Sequence, residues 1–308
     1  MTEIKQGHPK GLYLLFATEM WERFSYYVMR AIFILFMTKA LYMTSADASN
    51  IFGSYTGLVY LTPLLGGYIS DRFWGNRRSI LVGGILMAIG QFLLFFSGSA
   101  VTDGAQSASA VTMMWAGLTF LIIGNGFFKP NISTMVGQIY PKGDHRIDGA
   151  FTIFYMGINL GAFFSPLVCG SLSETGSIHD YRWGFFAAGT GMLISILSFE
   201  LFKNKYLITP DGQAVGMPKQ KMDAKTYAII GGAVAFIFFL LNFKNIFKSD
   251  IEVIGYLIYA SMVIMPIIIF SDKTLTHEER QRISVIFILA FFVVFFWACF
   301  EQAGASLT

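Results

Sequence analysis

Residues Glu19-Met20-Trp21-Glu22-Arg23-Phe24-Ser25-Tyr26-Tyr27 decide the reading of this chain. They place three charges between two apolar flanks, Gly11 to Ala17 and Ala31 to Met37, inside what must be a membrane span. A charge at the bilayer centre costs about 2.5–3.5 kcal/mol on insertion scales. Three of them, with Arg30 further along, are tolerated only if they face each other or a water-filled cavity. On a helix Glu19, Glu22, Arg23, Tyr26 and Arg30 fall within about a 100° stripe, and Tyr27 extends one edge of it. One surface of the span therefore carries every charge. A self-neutralised seam between two helices is the simpler alternative, but two arginines and two carboxylates exceed what a seam requires.

The composition agrees with a membrane protein. The chain is 55% hydrophobic and only 13% charged, against about 25% charged in soluble domains. The net charge of +3 gives no reason to expect a nucleic-acid partner. Nine apolar runs are long enough to span: 11–41, 48–70, 80–98, 111–140, 149–172, 184–202, 227–243, 251–270 and 283–307. The seventh and eighth are nearly featureless and read as lipid-facing. The connecting loops alternate in charge. Lys5, Lys10, Arg72, Arg77, Arg78, Lys142, Arg146, Lys203, Lys205, the lysines of 219–225, Lys273, Arg280 and Arg282 gather on one side; Lys39, Arg182, Lys244 and Lys248 are on the other. The basic side is expected to be cytoplasmic, with the N-terminus inside. The first run is too long and too charged for a cleaved signal, so it is expected to stay as a helix. Cys169 and Cys299 both lie in spans and read as packing residues.

Four further segments carry polarity at depth. Lys129, in Gly124-Asn125-Gly126-Phe127-Phe128-Lys129-Pro130-Asn131, lies roughly 16 Å inside its span and needs water or an anion unless it snorkels out. In Phe154–Asn159, Asn159 offers donors and an acceptor without charge. There Gly157 and Gly161 form a small-xxx-small pair for close helix approach. Glu301 and Gln302 sit far along the last span, where Arg30 is the natural partner of Glu301; an interfacial glutamate is the alternative. Gly67-Tyr68-Ile69-Ser70-Asp71-Arg72-Phe73-Trp74-Gly75-Asn76-Arg77-Arg78 closes the second span and opens the third. A carboxylate, a glycine turn and paired arginines in a short loop could be a topology signal alone; their order resembles the loop signature of the major facilitator superfamily, which implies a gating role for Asp71, Arg72 and Arg78. An enzyme is not expected. His8, His145, His179 and His277 lie in loops or termini, none at metal or nucleophile spacing, and no glycine-rich phosphate loop is present.

These segments resemble the proton-dependent oligopeptide transporter family of the major facilitator superfamily. Residues 19–27 look like its first-helix signature Glu-x-x-Glu-Arg-Phe-x-Tyr-Tyr, and Phe154–Gly161 its fifth-helix signature Phe-Tyr-x-x-Ile-Asn-x-Gly. Phe300–Gly304 is similar to its seventh-helix segment. The resemblance implies an all-α membrane fold: a six-helix N-terminal bundle over 1–203, a cytoplasmic linker over 204–226, an inserted helix pair over 227–270 and the seventh core helix over 281–308. It implies uptake of di- and tripeptides in a bacterial inner membrane, driven by the proton gradient without a cofactor. Arg23 and Lys129 would take the peptide carboxylate, and Glu19, Glu22 and Glu301 would couple protons. Tyr26, Tyr27 and Tyr60 would line the site with Asn159, and Arg30 with Glu301 would form the outer gate. Another small anion or zwitterion, such as nitrate or an amino acid, is the alternative cargo; a ligand-binding half-protein that does not transport is a third possibility. The family has twelve core helices, so a longer parent chain is expected.

Overall fold

The computed structural model describes residues 7–173, 176–209, 211–218, 224–247 and 253–301. Nine α-helices are present among them. They are α1 Lys10–Leu35, α2 Ser45–Ile69, α3 Gly75–Ser99, α4 Ala108–Gln138, α5 Arg146–Ser173, α6 Tyr181–Tyr206, α7 Ala224–Phe247, α8 Val253–Ser271 and α9 His277–Glu301. Each matches an apolar run of the sequence. α9 begins earlier than the run at 283, because Glu278 and Glu279 open its first turn and Thr276 caps the Glu279 amide. The 25 residues of α3 make a rod of about 38 Å, enough to cross a hydrocarbon core of about 30 Å.

Local chemistry sets the helix ends. Thr44 accepts the Asp47 amide and donates to the Asp47 carboxylate, closing the start of α2. Ser107 accepts the Ala110 amide at the start of α4. α2 runs into one π-helical turn, Ser70–Trp74, and stops at Gly75, whose φ of 70° suits glycine. A Cβ at Gly75 would also strike the backbone of Met217.

Helices α1–α6 form one bundle. α3 lies along α4, α1 along both α5 and α6, and α2 packs on α4. Backbone approaches through glycine make this close contact possible. Gly83 faces Gly124 and, one heptad on, Gly90 faces Gly117; a Cβ at Gly83 would lie 2.5 Å from the Gly124 carbonyl oxygen. Gly157 and Gly161 of α5 meet Phe16 and Met20 of α1, as the small-xxx-small spacing leads one to expect. Outside the bundle, α7 rests on α4 and α8 on α2. α9 contributes no buried side chain over 277–300.

By length and apolarity five segments of the described residues suit a bilayer, with α2 and α3 counted together. α1 is not one of them. It carries Glu19, Glu22, Arg23 and Arg30, yet it occupies the middle of the bundle, with Leu12, Leu15, Val28 and Phe33 fully buried.

One part of the stretch read as a linker, 204–226, is firmly docked. Leu207–Thr209 and Gln213–Val215 pair as the arms of a hairpin, in which the Val215 amide donates to the Leu207 carbonyl at 3.1 Å and the Thr209 amide to the Gln213 carbonyl at 2.7 Å. Arg77 anchors it. Its Nε donates to the Val215 carbonyl at 2.5 Å and one Nη to Asn204 Oδ1 at 2.9 Å, and the other Nη reaches the carbonyls of Lys203 and Leu207. Leu207 and Val215 are buried. Polar composition concealed this, because a hairpin that bonds to one buried guanidinium needs few apolar side chains.

Candidate functional site

The site is built on α1, with α2, α4 and α5 supplying its walls. The helical stripe places Glu19, Glu22 and Arg23 together, and all three are almost wholly buried at 1%, 0% and 3% exposure. Arg23 Nε donates to Glu22 Oε2 at 2.5 Å and lies 3.1 Å from Glu19 Oε1. The guanidinium therefore answers two carboxylates through one edge. Two atoms of the cluster, Arg23 Nη2 and Glu19 Oε2, are buried without a hydrogen-bond partner among the described residues. Buried polar groups are nearly always paired, and each exception calls for an explanation. Here the cluster keeps one unmatched donor and one unmatched acceptor.

Lys129 projects from α4 within electrostatic range of Arg23, Glu22 and Glu19, and is only partly exposed. It joins the cluster instead of snorkelling away from it. Pro130 lies inside α4 directly after it. Asn131 is tied on either side, donating to the Phe127 carbonyl at 2.6 Å and accepting from Asn76 at 3.0 Å.

Aromatic rings complete the chamber. The Arg23 guanidinium stands over the Tyr26 ring at 4.9 Å, and Arg30 over Tyr27 at 5.7 Å. Tyr26 and Tyr27 pack edge to face at 5.4 Å. Tyr60 of α2 lies near Tyr26, and Tyr55 of α2 lies near both Glu22 and Arg23. Tyr60 is 58% exposed. Tyr155 of α5 neighbours Tyr27 and is also exposed.

Of the residues proposed from sequence, Glu19, Glu22, Arg23, Tyr26, Tyr27, Tyr60 and Lys129 are thus brought together. Asn159 makes its side-chain hydrogen bond within α5. It is exposed, and its amide donates to the Tyr155 carbonyl of its own helix at 3.1 Å. The side chain of Glu301 lies outside the described residues, so the Arg30–Glu301 gate is not visible here. Asp71, Arg72 and Arg78 are exposed, with Arg72 over the Tyr68 ring at 4.9 Å. The buried arginine of that stretch is Arg77, not Arg78. Tyr55, Asn125 and Tyr155 were passed over in the sequence. Asn125 lies four residues before Lys129 and so shares its helix face, the one signal that pointed to it. His179 comes within 3.6 Å of Asp103 on the exposed loops, away from the chamber. No set of three metal-ligating side chains occurs among the described residues.

A six-helix bundle holding two carboxylates, a guanidinium and an ammonium in the middle of its spans defines a membrane transporter fold of the major facilitator type. The family model described as the POT family matches residues 77–308. The chain is 34% identical over 316 residues to the peptide transporter YePEPT of Yersinia enterocolitica, across 97% of this chain and 59% of that protein. It is 34% identical over 322 residues to a di-/tripeptide transporter of Lactococcus lactis, across 98% of this chain and 60% of the relative. A solved POT family transporter in complex with 5-aminolevulinic acid superposes with a TM-score of 0.79 at 34% identity, over 98% of this chain and 61% of that one. A mutant peptide transporter POT in complex with alafosfalin gives 0.78 at 33% identity, over 98% and 60%. The chain belongs to the POT family. It spans about three-fifths of the length of the relatives it matches.

Proposed function

We propose that this chain is the larger part of a proton-coupled symporter that imports di- and tripeptides by alternating access. Its membrane would be the bacterial inner membrane, with the basic loops and the N-terminus in the cytoplasm. The observation that carries this reading is Arg23, buried and shared by Glu19 and Glu22 while its Nη2 has no partner among the described residues. Peptides of different sequence share two charged ends and a short backbone. A site for many of them clamps the ends and leaves side chains to a roomy aromatic pocket. Arg23 and Lys129 supply the cations for the carboxylate end, and the tyrosines of α1, α2 and α5 supply the walls.

Coupling follows from competition for the same cation. An ionised Glu19 and Glu22 neutralise Arg23. Protonating one of them frees the guanidinium for the peptide carboxylate, so protons and peptide bind together. Loss of the proton to the cytoplasm returns the carboxylate to Arg23 and expels the peptide. Binding linkage is reciprocal, so peptide must also raise the affinity for the proton.

A second cargo class, single amino acids and similar small zwitterions, has one observation in its favour: a relative at 34% identity was solved with 5-aminolevulinic acid bound. The test separates the two. The protein that carries this chain is reconstituted in liposomes with an acid-outside gradient and a labelled reporter peptide. Dialanine is expected to compete with uptake and free alanine is not. Uptake of another solute with no competition by dialanine removes the peptide reading.

A further inference from the structure

The unassigned residue closest to the ionic cluster is Asn125. It is 2% exposed, and its Nδ2 donates to Glu22 Oε1 at 3.1 Å. Its own Oδ1 is buried with no hydrogen-bond partner among the described residues. The side chain thus forgoes an acceptor bond to aim its donor at the carboxylate. Its neighbours in the sequence hold it there. Gly124 packs on Gly83 of α3, and Gly126 on Thr62 of α2. Two glycines let α4 press on two helices at once, which fixes the direction in which Asn125 points.

The result is an asymmetric pair of carboxylates. Both oxygens of Glu22 have donors, Arg23 Nε on one and Asn125 Nδ2 on the other. Glu19 shares Arg23 through one oxygen, and its second oxygen has none among the described residues. An amide N–H donated to a carboxylate favours the ionised form. We propose that Asn125 is a positioning residue that holds the Glu22 carboxylate aligned on Arg23. This rests on the symport reading above.

The charged and titratable groups facing Glu22 are few. On α1 they are Arg23 and Glu19, on α4 Lys129, and on α2 Tyr55. The elements packed on this part of α1 from α5 and α6 present Gly161, Gly191 and Ser195, and from α3 Gln91, all neutral. Asn125 is therefore the neutral donor whose removal changes the balance without altering any charge.

The test is an infrared titration of the carboxylic-acid C=O bands, with the Glu22 band assigned by its loss in Glu22→Gln. Asn125→Leu removes the amide and keeps the bulk; Asn125→Ala removes both. Losing the Asn125 donor is expected to shift the frequency of the Glu22 band in both variants. The pH profile of dipeptide binding is expected to move with it. In a Glu22→Gln background Asn125→Leu is expected to leave that profile where it was, since the coupled partner is gone. A Glu22 band that is unmoved or still absent in both variants overturns the proposal. So does a profile shift of equal size in the Glu22→Gln background. The infrared titration needs no substrate, so a band that moves in a protein that carries no peptide refutes the peptide reading and leaves this assignment standing.

Discussion

Replacing Glu22 by glutamine keeps the shape of the side chain and deletes its charge. In the structure Glu22 takes a 2.5 Å hydrogen bond from Arg23 Nε, and Glu19 remains 3.1 Å from the same nitrogen. The guanidinium in Glu22→Gln is therefore still partnered, and the fold is expected to hold. A unit-charge pair near 4 Å is worth about 4 kcal/mol at an effective dielectric of about 20. The glutamine carbonyl restores a neutral hydrogen bond of about 1 kcal/mol. Arg23 is then easier to free by about 2–3 kcal/mol, or about 30- to 150-fold. The variant behaves as if Glu22 were permanently protonated. Dipeptide binding at alkaline pH is expected to tighten toward the value at acid pH, and its pH dependence to flatten. In liposomes, acid-driven accumulation is expected to vanish while exchange down a peptide gradient persists. Full acid-driven accumulation in Glu22→Gln, with an unchanged binding profile, refutes a coupling role for the cluster.

Three other outcomes follow from the geometry. Lys129→Ala removes a cation in reach of both glutamates and Arg23, so peptide binding and proton response are expected to fall together in the same liposome assays. Arg77→Ala deletes the donors to Val215, Asn204, Lys203 and Leu207; trypsin is expected to cut at Lys203 or Lys205 at least tenfold faster, given about 1 kcal/mol or more per lost bond. Gly83→Leu forces a side chain against the Gly124 carbonyl, and overpacking of about 1–3 kcal/mol is expected to lower the thermal unfolding midpoint in detergent.

Much of this was legible in the sequence because charge is scarce in a membrane span. Glu19, Glu22 and Arg23 announced themselves, and helical periodicity alone set them on one face. Lys129 was legible by depth, and Gly157 with Gly161 by spacing. What was not legible depended on pairing between distant segments. Asn125 is a common polar residue until α4 turns it toward Glu22, 103 positions away. Gly83 with Gly124 and Gly90 with Gly117 become a pattern only when α3 and α4 run antiparallel in register. Arg77 read as one of several loop arginines that mark the basic side. Its role emerged from the hairpin near Val215, 138 positions on. Asn159 was legible as a motif residue, but the bond its amide makes to Tyr155 of its own helix was not.

Proton exchange on peptide binding tests the coupling claim most directly. Dialanine is added to the protein in weakly buffered detergent solution near neutral pH, and the pH change is followed with an indicator dye. Net uptake of protons is expected on binding by the native protein and is expected to be reduced in Glu22→Gln. Saturable dialanine binding with no proton uptake by the native protein contradicts the shared use of Arg23 by carboxylates and substrate.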